Sequence, residues 1–450
     1  MSPLRSALPV CLTHRLALGA VASAATLALA TGDAYALQPL TDFLGHARTF
    51  NPDNRAARAT AEQRDAEVGV TTGNLEPNLA LNAFYTRNQF EVTTGSLLGG
   101  ASTPAGFPTL VIQPHDQLDA NIILTIPILN IANWDRRSVA QATHEAAKAD
   151  VENATLAVAK TVTRTYYLLT GYEAVLQSAI KNLEVAQHNV KLARDKKESG
   201  TGSELDVQRA LADTARTEQS VTSAQLNVVN TRRDLLSLTG VPPEAARVFP
   251  EDDLHAEGPL EGWMSGSDTL PSVKSAIATR ESAERASHAA RTGWVPTVSG
   301  VGEEKFTNAT AFAGGHSAYF LLQLTANWKL DNTILPQIRA QNAIAAEARA
   351  NEDKVRQAAS DNVYRDWQQI GADIEASRSA RAQVQATKLA ASLAEDRYAS
   401  GVATQLDVLQ ARQDAFAADV ARIQADADLA YARAALRIDS SRPLSEGSPR

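Results

Sequence analysis

The sequence predicts a mixed α+β protein, predominantly helical, in which one long helical hairpin occurs twice and four strands supply the remaining regular structure. Three observations carry this. The segment Lys197-Glu-Ser-Gly-Thr-Gly-Ser-Glu-Leu-Asp-Val-Gln-Arg-Ala210 returns as Tyr398-Ala-Ser-Gly-Val-Ala-Thr-Gln-Leu-Asp-Val-Leu-Gln-Ala411, with Gly200 and Gly401 in register 201 positions apart. Each copy lies between long stretches rich in Ala, Gln, Lys, Glu and Leu, all favourable in helices. Ahead of each long helical stretch stand segments that alternate apolar and polar residues, the period of a strand.

The first 36 residues read as an export signal. Arg5 and Arg15 give a positive start, Leu16 to Ala30 an apolar stretch, and Ala34-Tyr35-Ala36 a small-x-small cleavage site. About 15 apolar residues fall short of the roughly 20 that a spanning helix needs. The only cysteine, Cys11, lies inside this signal, so the rest of the chain can form no disulfide, thiol nucleophile or zinc–thiolate site. Removing the signal takes Arg5, Arg15 and Asp33 from 43 basic and 51 acidic residues, leaving a net charge near −9 and no basic stripe for nucleic acid. No later stretch is apolar enough for a transmembrane helix, so entry into a membrane would have to be as a β-barrel.

Residues 37–240 form the expected first repeat. A helix is predicted over about Leu40 to Thr72, then strands over Leu79 to Val92 and Leu118 to Ile128. Pro52 and Pro77 match Pro271 and Pro296, both 219 positions on. The drop from 219 to 201 at the tips requires about 18 extra residues in the first half, placed in the Gly/Ser/Thr/Pro-rich loop Thr93 to Pro114. From Ile131 to Glu198 there is no proline, and Val158, Val162, Tyr166, Leu169 and Leu176 follow 3–4 spacing. At 1.5 Å per residue this helix is about 100 Å long, which suits a coiled-coil assembly and no compact globule. A return helix follows over Glu204 to Leu238. Residues 241–270, with Pro242, Pro243, Pro250, Gly258, Gly262 and Gly266, read as an irregular connector.

The second repeat, 271–438, has helices over Pro271 to Thr292, Asn332 to Ala399 and Gln405 to Ile438, with strands over Val295 to Phe306 and Ala318 to Leu330. Residues 439–450 read as a mobile tail. Leu118, Ala120, Ile122, Leu124, Ile126 and Ile128 make one wholly apolar strand face, as do Ala318, Phe320, Leu322, Leu324 and Ala326. Such faces fit lipid-facing barrel strands. The partner strands alternate weakly. Four strands cannot close a barrel that passes solutes, since even eight fill with side chains, so closure needs several subunits.

The order of signal, helix, proline, strand pair, long helix, Gly-x-x-[Ser/Thr]-x-Leu-Asp-Val tip and return helix, all repeated, resembles the TolC-type outer-membrane factor family. The tip Arg397-Tyr398-Ala-Ser-Gly401-Val-Ala-Thr404-Gln-Leu-Asp407-Val is among the segments that carry it, as is the Asn51-Pro52 opening. The resemblance covers essentially the whole chain after the signal. It implies a homotrimer in the outer membrane of a Gram-negative bacterium, with a twelve-stranded transmembrane β-barrel and an α-barrel of twelve helices crossing the periplasm. It implies an efflux or type I secretion duct rather than an enzyme. Its expected partners are outer-membrane lipid, a periplasmic adaptor (membrane fusion) protein and an inner-membrane RND, ABC or MFS-type transporter. A periplasmic coiled-coil adaptor or scaffold is the alternative, though an adaptor carries one hairpin and no barrel strands.

Two readings stand for the tip residues. Ser203 with Asp206, and Thr404 with Asp407, fit capping boxes, and Gly200 and Gly401 fit left-handed helix ends. The resemblance adds that Asp206 and Asp407 line the periplasmic constriction, six carboxylates per trimer, and that Tyr398 bonds across helices to hold it shut. It also makes Gly200, Gly202, Ser203, Gly401, Val402 and Thr404 candidates for adaptor docking. Ala403 and Gln410 depart from the family pattern, and Lys197 stands where the second repeat has Tyr398. No cofactor or metal site is expected. Gly200-Thr-Gly-Ser lacks the lysine and preceding strand of a phosphate loop, the eight histidines have no ligand spacing, and Met264 is the only methionine after the signal.

Overall fold

The computed structural model describes residues 37–97, 110–244, 251–264, 266, 269–311, 314–329 and 332–442. The expected export signal, the middle of the Thr93–Pro114 loop, part of the connector, Leu330 and the tail from 443 lie outside the described residues.

The first half opens with α1 (Leu40–Phe50) and α2 (Pro52–Gly73), where the sequence had suggested one helix. The break has a local cause. Pro52 holds Asn51 out of the helical region (φ −60°, ψ 131°), and the Asn51 side chain accepts from the Asp53 N–H at 2.9 Å, so α2 starts afresh. β1 (Asn78–Arg87) follows, then a small sheet of β2 (Val92–Thr93) and β3 (Val111–Gln113) beside the single turn α3 (Thr94–Leu97), and then β4 (Asp116–Leu129). The long helix α4 (Ile131–Glu198) and its return α5 (Glu204–Thr239) form the first hairpin. The second half comprises the short α6 (Leu260–Met264) in the connector, α7 (Pro271–Arg291), β5 (Thr297–Thr307), β6 (Ala318–Asn327), α8 (Ile334–Ala399) and α9 (Gln405–Asp439).

The helices lie side by side in one layer. Toward the sheet α4 packs against α2 and α7, and α7 against α8. Toward the tips α4 packs against α5 and α9, and α9 against α8. One lateral edge of the layer is therefore α2 with α5, and the other is α8.

Two apolar clusters near mid-height hold each hairpin together, and they are the same cluster twice. Val162, Leu169, Val228 and Leu235 pack with Phe43 and Ala47 of α1, while Val363, Ile370, Leu429 and Leu436 pack with Trp263 of α6. Each residue of the first four has its counterpart 201 positions later. Full burial of such side chains stabilises by about 1.5–3 kcal/mol each. A hairpin alone leaves this patch open, and α1 and the connector cover it in the two halves respectively.

β1, β4, β5 and β6 form one antiparallel sheet in that order, so β1 and β6 are open edges. The pairing settles the two faces, because residues directly opposite one another share a face. Leu81, Ile122, Glu304 and Phe320 line up across the four strands, as do Leu79, Leu124, Gly302 and Leu322. This face also holds Ala83, Tyr85, Ala120, Ile126, Phe306, Leu324 and Ala326, and Glu304 interrupts it. The opposite face is more polar: it carries Asn82, Asn121, Lys305 and Tyr319 in one row, with Asp119, Thr125, Glu303, Gln323 and Thr325 nearby, and Phe84, Ile123, Val301 and Leu321 among them. Both edge strands are exposed almost throughout.

Candidate functional site

The two tips have the same backbone chemistry. After α4, Gly200 takes φ +78°, and the N–H groups of Thr201 and Gly202 both return to the Lys196 carbonyl at 2.9 Å. After α8, Gly401 takes φ +82°, and Val402 and Ala403 return to the Arg397 carbonyl at 2.8 and 3.1 Å. A left-handed residue with paired return bonds satisfies the last carbonyls of a helix, and the left-handed position favours glycine. A side chain on Gly202 would touch Lys196 Cβ at 3.0 Å, a closeness the second tip accommodates at Ala403.

The return helices begin with reciprocal caps. Ser203 Oγ accepts from the Asp206 N–H at 3.2 Å, and the Asp206 carboxylate accepts from the Ser203 N–H and hydroxyl at 3.2 and 2.8 Å. Thr404 and Asp407 repeat this at 3.3, 2.8 and 2.7 Å. The Thr404 hydroxyl, then its N–H, hold the Asp407 carboxyl below the usual aspartate range. Asp206 is half-buried and Asp407 exposed, both at the same end of the molecule.

The expected docking residues lie at this extremity. Gly200, Ser203, Gly401, Val402 and Thr404 are exposed and Gly202 half-exposed. Val402 is 70% exposed, and the leucines of the two Leu-Asp-Val motifs, Leu205 and Leu406, are 57% and 52% exposed. Meanwhile Val207 and Val408, two residues on, are buried. The motif thus presents one apolar side chain outward and one inward. The sequence reading did not single out Leu205 and Leu406, although alternation within Leu-Asp-Val at a helix start was the available signal.

Tyr398 occupies the junction of the two hairpins. Its ring is buried, and its hydroxyl has no hydrogen-bond partner within the described residues. Burial first, and the Asp206 carboxylate second, push that hydroxyl above the usual tyrosine range. At this end a tie between the hairpins comes instead from Lys196, which the sequence reading passed over. Its ammonium donates to the Tyr398 carbonyl and stands 4.0 Å from the centre of the Tyr398 ring. Gln405, first residue of α9, is 1% exposed, and both polar atoms of its side chain lack partners.

At mid-height, on the side of α4 turned away from α1, a cavity of about 300 Å³ is lined by Lys160, Arg164, Asp366, Asp373, Asp428 and Tyr431. Lys160 Nζ lies 2.6 Å from Asp439 and 3.9 Å from Asp366. Burial, then the shared hydrogen bond with Asp439, raise the Asp366 carboxyl to about 7 against the pull of Lys160.

The sheet has its own arrangement. Trp134, Trp294 and Trp328 stand where the strands meet the helices, and the Trp328 indole donates to the Trp294 carbonyl at 2.9 Å. Tyr85, Phe306 and Phe320 stand at the far end of the same face. An apolar band between two aromatic girdles is the pattern of a strand surface that faces lipid. No helix among the described residues is long and apolar enough to cross a membrane.

Comparison with known proteins agrees with this geometry. The family model described as outer membrane efflux protein matches residues 44–241 and 269–438. The outer membrane efflux protein BepC of Brucella suis biovar 1 (strain 1330) is 24% identical over 422 residues, spanning 90% of this chain and 86% of BepC. The CmeC outer membrane channel of Campylobacter jejuni superposes with a TM-score of 0.76 at 18% identity, covering 90% of this chain and 86% of CmeC. The outer membrane protein VceC of Vibrio cholerae gives 0.74 at 17% identity, covering 90% and 97%. These solved structures share the fold of two long hairpins on a four-stranded sheet.

Proposed function

The chain belongs to the outer membrane efflux protein family, and on that premise we propose that three copies of it close into one continuous duct. It is a channel protein of the outer membrane; the trimer, the duct's working partners and its gate are our reading. The observation that carries it is the sheet: four strands, two open edges, one largely apolar face and one more polar face. An exposed edge pair and an exposed apolar face are costly in water. Joining β6 of one copy to β1 of the next removes both edges. Three copies then make twelve strands, enough to enclose a water-filled lumen, with the apolar face on lipid. The α8 edge of one copy would meet the α2/α5 edge of the next in the same way.

In this arrangement residues 37–240 and 271–438 are two structural repeats, 241–270 a belt between them, and 1–36 an export signal. The helices reach about 100 Å into the periplasm. The tips form the entrance, with Asp206, Asp407 and Tyr398 at the constriction. Val402, Leu205 and Leu406, beside Gly200, Gly202, Ser203, Gly401 and Thr404, offer small and apolar contacts to a periplasmic adaptor. An energised inner-membrane transporter drives substrate through a passive lumen. Nothing in the geometry favours the adaptor alternative, which has no use for a sheet with a lipid-facing side.

Cell fractionation tests the reading. The protein is expected in the outer membrane, released only by detergent, with a particle mass of three chains. Recovery as a soluble monomer would sink it.

A further inference from the structure

The charged cavity at mid-height takes no part in closing the duct or in shaping its tips, yet its charges call for a ligand. It is built from one chain, between α4, α9 and α8. On α4 it uses Lys160, Arg164 and Tyr167, while Val158, Val162 and Leu169 of the same helix pack beneath α1. On α8 it uses Asp366, Gln369 and Asp373, while Val363, Ile370 and Ile374 pack toward Trp263 of the connector. The cavity and the belt of α1 and connector therefore occupy different faces of the helical layer. A belt on the inner face would fill the lumen, so in a closed duct the belt lies outside and the cavity opens on the lumen wall.

The charges in the cavity do not balance. Lys160 is matched by Asp439 at 2.6 Å, and Asp428 faces Arg164, whose guanidinium stands 5.8 Å from the Tyr431 ring centre. Asp373 has only the Gln369 amide, which donates to it at 2.8 Å, and no basic group within ion-pair distance among the described residues. Burial first, and then the Asp428 carboxylate, push the Asp373 carboxyl above the usual aspartate range against the pull of that amide. With Asp366 half protonated near neutral pH, negative charge exceeds positive by between one and two. The fold does not impose this. Where the second hairpin has Asp366, Asp373, Asp428 and Asp439, the positions 201 residues earlier hold Thr165, Tyr172, Asn227 and Leu238. The first hairpin builds the same helices without any of these acids.

Resting on the three-copy duct for its place on the lumen wall, we propose that this cavity is a binding station for small organic monocations, amines or quaternary ammonium compounds, three stations to a duct. Asp373 and Asp428 supply the countercharge, and Tyr167 and Tyr431 supply ring surface for the apolar part and the charge of the ligand. A volume of about 300 Å³ is at the small end for ligand cavities and suits an amine of one ring. A bare metal ion suits it less. Among the described residues only Asp252, Asp253 and His255 gather three ligand atoms closely, and they lie in the connector. A bound cation relieves the repulsion between Asp373 and Asp428 and holds the ligand midway between the tips and the membrane.

The test measures binding of benzyltrimethylammonium, whose charge is fixed at every pH, to the detergent-solubilised full-length protein by ligand-observed NMR, with benzyl alcohol as the uncharged control. The cation is expected to bind at least tenfold more tightly than the alcohol. Asp373→Asn should weaken it at least fivefold. Arg164→Gln leaves Asp428 uncompensated and should tighten it at least threefold, a gain that mere loss of cavity shape would not give. Asp206→Asn with Asp407→Asn, at the tips, should leave it unchanged. Equal binding of the two probes, wild-type affinity in Asp373→Asn, or loss of binding in the tip variant overturns the station. Its place on the lumen wall is read separately. Cys11, in the expected export signal, is the only cysteine, so Gln369→Cys offers one thiol for a trimethylammonium-ethyl methanethiosulfonate. Its reaction should lower single-channel conductance in planar bilayers by a third or more, and an unchanged conductance overturns the lumen placement. If wild type forms neither trimer nor channel, the duct reading fails instead, while the binding measurements still judge a cavity that lies within one chain.

Discussion

Replacing Leu322 by arginine probes the membrane face most directly. Leu322 is the fifth of ten residues of β6, 77% exposed in the single chain, and its side chain lies over Gly302, with Leu124 in the same row. At about 3.3 Å per residue it stands roughly 15 Å along the strand from either end, so it belongs to the middle of the apolar band. An arginine on the lipid side at mid-depth costs about 2–4 kcal/mol per chain, and three times that for a trimer. Per chain this lowers the folded-to-unfolded ratio by a factor of about 30 to several hundred. Gln323, the next residue, lies on the polar face opposite Val301, and its replacement by arginine should change stability by less than about 0.5 kcal/mol. Folding from urea into phospholipid vesicles, followed by heat-modifiable mobility on gels, reads both variants. The reasoning is refuted if Leu322→Arg keeps the wild-type midpoint, or if Gln323→Arg is the more damaging change.

Replacing Asp206 and Asp407 by alanine should raise single-channel conductance and weaken block by divalent cations; unchanged conductance would mean that the two acids only cap helices. Asp366 should make stability depend on pH. Its carboxyl titrates near 7 in the folded chain against an ordinary 3.8, so the folded protein keeps a proton that the unfolded chain sheds. Its contribution is fully present below about pH 4 and is lost as pH rises through 7. Asp366→Asn should flatten that slope and raise the melting temperature at pH 8, and an unaltered slope between pH 5 and 8 would reject the assignment. Arg433 is 7% exposed and donates to Glu257 at 2.6 Å, the His255 carbonyl at 2.7 Å and Asp252 at 3.0 Å. Arg433→Ala strands those acids and should cost about 3–5 kcal/mol, read as a lower melting temperature. Adding Asp252→Asn and Glu257→Gln should recover part of it, and no recovery would show that the charges are not what the arginine holds.

How far the fold was legible depended on the range of the interactions. Helix ends are local: a glycine that takes φ +78°, or a Ser203–Asp206 box, acts within four residues and can be read from order alone. The strand faces were legible in β4 and β6, where large apolar residues alternate cleanly. They were not legible in β1 and β5. On β5 the side shared with the apolar face is Gly300, Gly302, Glu304 and Phe306, which carries no apolar alternation of its own. Its neighbours supply the apolar surface, Leu322 over Gly302 from one side and Leu124 from the other. The break between α1 and α2 was written in Asn51-Pro52, but its consequence was not. It turns α1 to cover the core of the first hairpin with Phe43, the place Trp263 takes in the second.

The chain's order of residues by itself determined the duplication, the helix lengths and the tip turns, because these follow from periodicity and capping. Only the tertiary structure decided which residue joins the two tips. Lys196 meets Tyr398 across 202 positions of sequence, and a lysine at the end of a helix looks like any other until the neighbouring helix end is brought within its reach. Helix and turn are set by neighbours along the chain. A clamp is set by the packing of α4 beside α9 and α8, which no local pattern encodes.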